Sequence, residues 1–177
     1  MNDAAFGEVV LKKARQWKQA MAPMIAASPY GVPYSKQIGT FEGTRTTAIW
    51  GLGWNFQNAA MRHYYFHKHW PDLFDAKLIH SVVDMVLGVH PAGNESYVSG
   101  VGARSPLSAY GTNRADWSHI PGGVISGASL IRPDFLELKE FPFLYYQTEY
   151  VIHGAATYLF DLLAAQRAGN SKGGGLR

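Results

Sequence analysis

A long stretch rich in glycine, proline and serine, residues 88–144, constrains the fold of this chain most strongly. Only short turns, or a small strand pair near Val124 and Ile125, are predicted within it. A loop of this length inside a compact domain is usually functional. Regular structure must therefore come from the flanking segments, and both carry apolar residues at helical spacing. The sequence predicts an all-α fold with long irregular loops.

The flanking segments predict helices separated by turn residues. Asn2 or Asp3 could cap the first helix and Asp72 the third, since short polar side chains accept hydrogen bonds from the first free amides. The third helix carries the clearest core stripe, and the glycine-rich residues 169–177 are predicted to be a disordered tail. The predicted helices run from about Ala5 to Ala27, from Thr46 to His67, from the Trp70–Asp72 break to Leu87, and from near Gln147 to Ala168.

Near the C-terminus, Glu149 is surrounded by the aromatic residues Tyr145, Tyr146 and Tyr150. Partial burial among rings disfavours the charged form of a carboxyl group, which suits a group that must donate a proton near neutral pH. Aromatic rings are also natural platforms for sugar faces. The structural alternative is that Glu149 lies in the first turn of a helix, where the macrodipole favours an acid.

Composition excludes several classes of protein. The formal charge of +3 is spread without a Lys/Arg block, which disfavours nucleic-acid binding. The absence of cysteine excludes disulfides and thiolate metal sites. No apolar run is long enough to span a bilayer, and Met1-Asn-Asp-Ala lacks the features of a signal peptide. No cofactor is predicted. The aromatic content exceeds the needs of a compact core, so some rings are expected to line a groove or an interface.

Two further side-chain pairs have both a functional and a structural interpretation. His63 and His67 share one helix face at a spacing able to bind a metal, but no third ligand is obvious. A solvated or hydrogen-bonded histidine pair is therefore the default interpretation, and no metal site is predicted. Trp50 and Trp54 also share a helix face, where they could stack on sugar rings or belong to the core.

Several motifs of the C-terminal half occur in a characteristic order: Leu87-Gly-Val-His-Pro91, Ser96-Tyr-Val-Ser-Gly-Val-Gly102, Pro121-Gly-Gly-Val-Ile-Ser-Gly127, and Tyr145-x-x-x-Glu149. Together they resemble the C-terminal part of glycoside hydrolase family 9, whose members are mostly cellulases and related β-glycanases. The resemblance extends from about Trp50 to Ala165. It implies the C-terminal portion of an (α/α)6 barrel, or six-hairpin glycosidase-like fold, over residues 1–168.

The resemblance also implies roles for individual residues. Glu149 would be the general acid of an inverting β-glycoside hydrolase, protonating the leaving glycosidic oxygen. Arg114 and Tyr97 would hold sugar hydroxyls or orient the acid. The stacking faces would come from Trp50, Trp54, Tyr110 and Tyr145.

This chain departs from the family pattern at several positions. Tyr110-Gly-Thr-Asn-Arg114 lacks the histidine of the family's His-x-Arg cluster. In the family, the Asp-rich motif that supplies the catalytic base lies toward the N-terminus, before the part that this chain resembles. An inverting glycosidase needs that second carboxylate to activate water. Asp116 is more readily interpreted as the ion-pair partner of Arg114, and Asp134 as a turn residue. The resemblance therefore covers only half of a catalytic site, the half that supplies the general acid.

Two functions follow as expectations. The chain could be the acid-bearing portion of an endoglucanase-like enzyme, inactive alone, whose parent is secreted or periplasmic and carries its export signal upstream. Alternatively, it is a non-catalytic carbohydrate-binding or structural fragment. The expected partner is an oligo- or polysaccharide with β-linkages, with no nucleic acid or membrane. Self-association, or pairing with a missing N-terminal half, is expected because a partial barrel exposes apolar helix faces.

Overall fold

The fold was analysed in a computed structural model that describes residues 3–28, 30–33, 39–41, 44–46, 52–89, 95–107, 109–110, 117–127, 148–150 and 152–170. This part of the chain is mostly helical, which agrees with the predicted all-α class. The helices are α1 (Ala4–Ala26), α2 (Leu52–His69), α3 (Lys77–Val86) and α4 (Ile152–Asn170). Two short antiparallel pairs accompany them: β1 (Gly39–Phe41) with β2 (Thr44–Thr46), and β3 (Ala109–Tyr110) with β4 (Trp117–Ser118).

The helix ends follow local capping chemistry, with two corrections to the prediction. Asp3 caps α1 by accepting from the amides of Ala5 and Phe6 at 3.0 and 3.3 Å. Thr46 is not the start of α2, because it pairs with Gly39 in the first strand pair. Asp72 does not cap α3, because the N-cap position is Ala76, which has no capping side chain. The carboxylate of Asp75, one residue earlier, accepts from the Lys77 amide at 2.9 Å.

The helix prediction for the C-terminus also needs correction at both ends. Glu149 is not inside the last helix, because that helix begins at Ile152 and the backbone before it pairs with another segment. The same helix continues through Asn170, so residues 169 and 170 are not a disordered tail. Residues 171–177 lie outside the described residues.

The three helices α2, α3 and α4 pack against one another. The rings of Trp54 and His153 lie 5.0 Å apart, and those of Tyr64 and Phe160 lie 5.6 Å apart, so α2 and α4 run in the same direction. Ala76, directly before α3, clusters with the end of α4, and α3 is therefore antiparallel to α4. This arrangement brings the beginnings of α2 and α4 to the end of the bundle where α3 stops.

The core stripe predicted for α3 is confirmed. All its apolar members are buried, and Ile79 and Val82 are fully enclosed. They join two hydrophobic clusters, one toward α2 and the following loops and one toward the end of α4. Burying such side chains contributes about 1.5–3 kcal/mol each relative to exposure. The residues of this stripe are Leu78, Ile79, Val82, Val83 and Val86.

Candidate functional site

A three-segment loop layer, residues 95–102, 120–127 and 148–150, covers the end of α3. The first segment is fixed to the helix through the last carbonyl of α3, since the Tyr97 amide donates to the Val86 oxygen at 2.7 Å. Carbonyls at a helix end have no partner within the helix, so this bond satisfies one of them. The Ser96 hydroxyl donates to the same oxygen at 3.4 Å and accepts from the Val98 amide at 3.0 Å. The first segment is thereby anchored to the helical core.

The second segment pairs with the first through the backbone. The Ser99 amide donates to the Gly123 carbonyl at 2.9 Å, and the Gly122 amide returns a bond to the Ser99 carbonyl at 2.8 Å. The Ile125 amide donates to the Tyr97 carbonyl at 2.9 Å, beside an antiparallel bridge between Val98 and Val124. Val124 and Ile125 thus form isolated bridges and no strand pair, and the strand pair within residues 88–144 is β3 with β4 instead.

The third segment adds Glu149 to the edge of this layer. The Ser126 amide donates to the Glu149 carbonyl at 3.0 Å, and the Glu149 amide donates to the Ser126 hydroxyl at 3.3 Å. Ser126 is fully buried, whereas Glu149 is half-buried. These two bonds fix the Glu149 backbone on both sides of its Cα atom. The backbone position of Glu149 is therefore fixed, and the residue is half-buried at the edge of the layer.

Tyr150 ties all three segments together. Its hydroxyl lies 2.5 Å from the Ser99 hydroxyl and accepts from the Ile120 amide at 3.3 Å. The residue is 8 % exposed and bridges Ile125 in antiparallel fashion. A buried hydroxyl with two partners is costly to remove, because both partners would lose a hydrogen bond. Tyr150 therefore fixes the position of its neighbour Glu149.

Two glycines allow the segments to approach this closely. A Cβ atom on Gly123 would lie 2.6 Å from Cε1 of Tyr150. One on Gly127 would lie 2.6 Å from Cε2 of Tyr97, and Gly127 also has a φ of +84°, which disfavours any side chain. The Pro121–Gly127 motif is therefore required by close packing around the layer.

Two residues that were predicted to contact a sugar, Tyr97 and Trp54, are packing residues instead. Tyr97 is 3 % exposed and its ring covers Gly127, so it supports the layer and does not present a hydroxyl-binding surface. Trp54 is 9 % exposed, and its ring lies against Gly154 and His153 between α2 and α4. Its indole face is covered by protein, which excludes sugar stacking there and favours the core interpretation.

Four further residues were predicted for the site. Trp50, Arg114 and Tyr145 lie outside the described residues, as do Asp116 and Asp134. Tyr110 lies in β3, where its backbone pairs with Trp117 and its side chain is not described. Among the described residues, the layer brings together the Ser96–Gly102 and Pro121–Gly127 motifs with Glu149.

Sequence reasoning missed one buried acid, Asp161 on α4. It is 1 % exposed, and its carboxyl oxygens have no hydrogen-bond partner among the described residues. Burial raises the pKa of Asp161 from 3.8 to about 8. The residue lies nine positions after Ile152, about 14 Å along the helix axis at 1.5 Å per residue. Asp161 is therefore well separated from the Glu149 end of the bundle.

The histidine pair on α2 is hydrogen-bonded to the loop that follows the helix. Nε2 of His63 lies 2.6 Å from the Asp75 carbonyl oxygen, and Nδ1 of His67 lies 2.6 Å from that of Phe74. Burial lowers the pKa of His63, which favours the neutral ring. Within the described ranges, no cluster of three His, Cys, Asp or Glu side chains has a metal-binding arrangement. The hydrogen-bonded interpretation of this pair is therefore confirmed.

Comparisons with protein-family models, curated proteins and solved structures found no match to this chain. Among the described helices, none is sufficiently long and apolar to cross a membrane.

Proposed function

We propose that this chain is the acid-bearing C-terminal portion of an inverting β-glycoside hydrolase, endoglucanase-like, with Glu149 as the general acid. The observation that carries the proposal is the convergence of three sequence motifs in one hydrogen-bonded layer. Their segments are separated along the chain, yet Ser126 bonds directly to the Glu149 backbone and Tyr150 bonds to Ser99. A chemical task for Glu149 would require this kind of rigid positioning.

The helix arrangement supports the proposed (α/α)6 barrel. In such a barrel, consecutive helices form antiparallel pairs, and helices of the same ring run in parallel. The parallel α2 and α4, with α3 antiparallel beside them, have the relations expected of a part of that barrel. The loop layer lies at one end of these helices, where a barrel of this type builds its substrate groove.

The chemistry of Glu149 in this proposal is proton donation. A carboxylic acid at the edge of the layer would protonate the glycosidic oxygen as the bond to the sugar breaks, which prevents charge from building up on the leaving group. The half-buried setting suits this task, because the carboxyl must be accessible to a polymer while water is partly excluded. The two hydrogen bonds between the Glu149 backbone and Ser126 keep the residue in place.

A second carboxylate is required to activate the attacking water. In inverting enzymes the two carboxyl groups lie about 6.5–9.5 Å apart. Asp161 is excluded as this group, because it is enclosed in the core and lies about 14 Å beyond the start of α4. In the family that the chain resembles, the base lies toward the N-terminus, so the proposal takes it from outside this chain, in the N-terminal half of a longer protein.

A second candidate function is non-catalytic carbohydrate binding or a structural role. The observation in its favour is that the buried acid of α4 cannot complete a catalytic pair with Glu149. The missing histidine before Arg114 favours it as well. In this case the loop layer would serve as a rigid binding edge, and no bond would be cleaved.

Binding and hydrolysis measured side by side distinguish the two functions. Cellohexaose is titrated calorimetrically into the chain and into Glu149→Gln, and its hydrolysis is followed with the longer parent protein. The acid role predicts retained binding by the variant and hydrolysis by the parent. Binding without hydrolysis by the parent establishes the non-catalytic function. If cellohexaose and matched β-linked xylan and mannan oligosaccharides all fail to bind, both functions are contradicted.

A further inference from the structure

A groove at the opposite end of the helices from Glu149 lies between the last turns of α2 and α4. Its volume is about 450 Å³, within the range for small-molecule sites. The groove is open to solvent, since Tyr65 is 51 % exposed and Leu163 is exposed as well. A ligand can therefore reach its walls. The main lining residues are Tyr64, Tyr65, Lys68, Phe160, Leu163 and Arg167.

Three aromatic rings line this groove and hold one another in place. The rings of Tyr65 and Phe160 are stacked, with centroids 5.7 Å apart and an interplanar angle of 29°. The ring of Tyr64 meets both of them edge-on, at 5.8 Å from Tyr65 and 5.6 Å from Phe160. Tyr64 and Phe160 also pack against the hydrophobic cluster at the end of α4. The aromatic wall is therefore held by the core, and a ligand would have to order few further side chains.

The charged side chains that line the groove are positive. Lys68 follows Tyr65 by three residues on α2, and Arg167 follows Leu163 by four residues on α4, so each cation shares a helix face with an apolar lining residue. Because α2 and α4 run in the same direction, both cations lie at the same end of the groove. The sequence of α2 contains no acid, and the single acid of α4, Asp161, is buried. The groove thus combines an aromatic wall with a cationic end.

We propose that this groove binds a small aromatic carboxylate, with its ring against the aromatic wall and its carboxylate at the cationic end. The ring would pack on Tyr65 and Leu163, which removes apolar surface from water. The carboxylate would pair with the ammonium of Lys68, which lies about 4.5 Å beyond Tyr65 along the helix axis. Arg167 adds a second positive charge at the same end. A neutral ligand of the same shape would keep the packing but lose the charge contacts.

A matched pair of ligands tests this site in the intact chain. Naphthalene-2-carboxylate and naphthalene-2-carboxamide have the same rings and nearly the same shape, but only the first is charged near neutral pH. We expect the carboxylate to bind about fivefold more tightly at low ionic strength, as for two partly exposed charge contacts. This advantage should shrink in about 0.5 M salt, which screens exposed charges. Both affinities are measured by NMR titration of the ¹⁵N-labelled chain, in which the backbone amides of residues 64–68 and 160–167 should shift most.

Two variants on α2 that each remove one positive charge supply the control. Lys68→Gln should lower the affinity for the carboxylate by about threefold and leave that for the carboxamide unchanged. Arg62 is an exposed cation on the same helix but is not among the residues that line the groove, so Arg62→Gln should change neither affinity. Equal affinities for the two ligands, no binding of either, or a loss with Lys68→Gln no larger than that with Arg62→Gln would overturn the proposal.

Discussion

Helices α3 and α4 differ in which side chains they expose to solvent. On α3, the apolar residues are buried and the charged Lys77 and Asp84 are exposed. On α4, the carboxyl of Asp161 is buried while Leu159 and Leu163 are 61 % and 65 % exposed. Ile152 is 90 % exposed and, together with Leu159 and Leu163, forms an outward apolar stripe on α4.

The difference shows which helix has its complete set of neighbours. The apolar face of α3 is covered by α2, α4 and the loop layer. The outward stripe of α4 repeats at intervals of seven and four residues, which is the spacing of a helix face that packs against another surface. In the proposed barrel, that surface would be a second layer of helices. The following predictions test this contrast and the role of the loop layer.

The largest expected effect concerns the buried acid of α4. Because the folded pKa of Asp161, about 8, is above the starting value of 3.8, the folded state retains a proton that the unfolded state releases. The contribution of Asp161 to the free energy of unfolding is therefore fully present below pH 3.8 and is lost as the pH rises toward about 8. The loss is on the order of 5 kcal/mol, at about 1.36 kcal/mol per pKa unit.

Urea unfolding of the wild type and Asp161→Asn at several pH values checks this prediction. The asparagine variant cannot titrate at this position, so the difference in unfolding free energy between the two proteins should grow with pH in favour of the variant. His63 is present in both proteins and cancels in this difference. A difference that does not change between pH 4 and pH 8 would show that Asp161 is charged in the folded state.

The next effect concerns close packing in the loop layer. Gly127→Ala places a methyl group against the Tyr97 ring and keeps a positive φ, for a combined cost of about 2–5 kcal/mol. Gly122→Ala is the control, because Gly122 has a φ of +76° and a methyl group there would meet no other atom within 4 Å. It should cost only about 1–2 kcal/mol. Equal losses in urea unfolding would show that backbone conformation, and not packing on Tyr97, is responsible.

Removing one hydroxyl from the layer should have a smaller effect. Tyr150→Phe leaves the Ile120 amide and the Ser99 hydroxyl without this partner, for about 1–3 kcal/mol of unfolding free energy. Tyr158→Phe is the matched control, since Tyr158 is also 8 % exposed and no hydrogen bond of its hydroxyl is found in the described part of the chain. Comparable destabilisation of the two variants would contradict the role assigned to the Tyr150 hydroxyl.

The smallest effect on folding, about 0.5 kcal/mol or less, is expected from charging the outward stripe of α4. Leu159→Lys combined with Leu163→Lys should abolish self-association in sedimentation velocity experiments, because the apolar contact surface is lost. Leu107→Lys, at a loop position that is 77 % exposed, should leave association unchanged. A wild-type chain that is monomeric at all concentrations would show that this stripe does not drive association by itself.

The sequence predicted α3 because its pattern and its burial agree, but it could not locate Glu149 correctly. Propensity placed Glu149 in a helix, whereas pairing with Ser126 keeps its backbone outside α4. That pairing depends on the register between distant segments, which no local pattern contains. The burial of Asp161 was missed for a similar reason, since a single acid in an apolar helix is ordinarily expected to face solvent.

The proton-donating role of Glu149 is the central claim, and turnover of a natural β-glycan by the longer parent protein tests it most directly. Glu149→Gln retains the shape of the side chain but removes the proton. Hydrolysis should therefore fall by about 10²–10⁴-fold while binding persists. An aryl glycoside with a good leaving group needs no protonation and should be affected least. Unchanged turnover of the natural glycan by Glu149→Gln would contradict the claim.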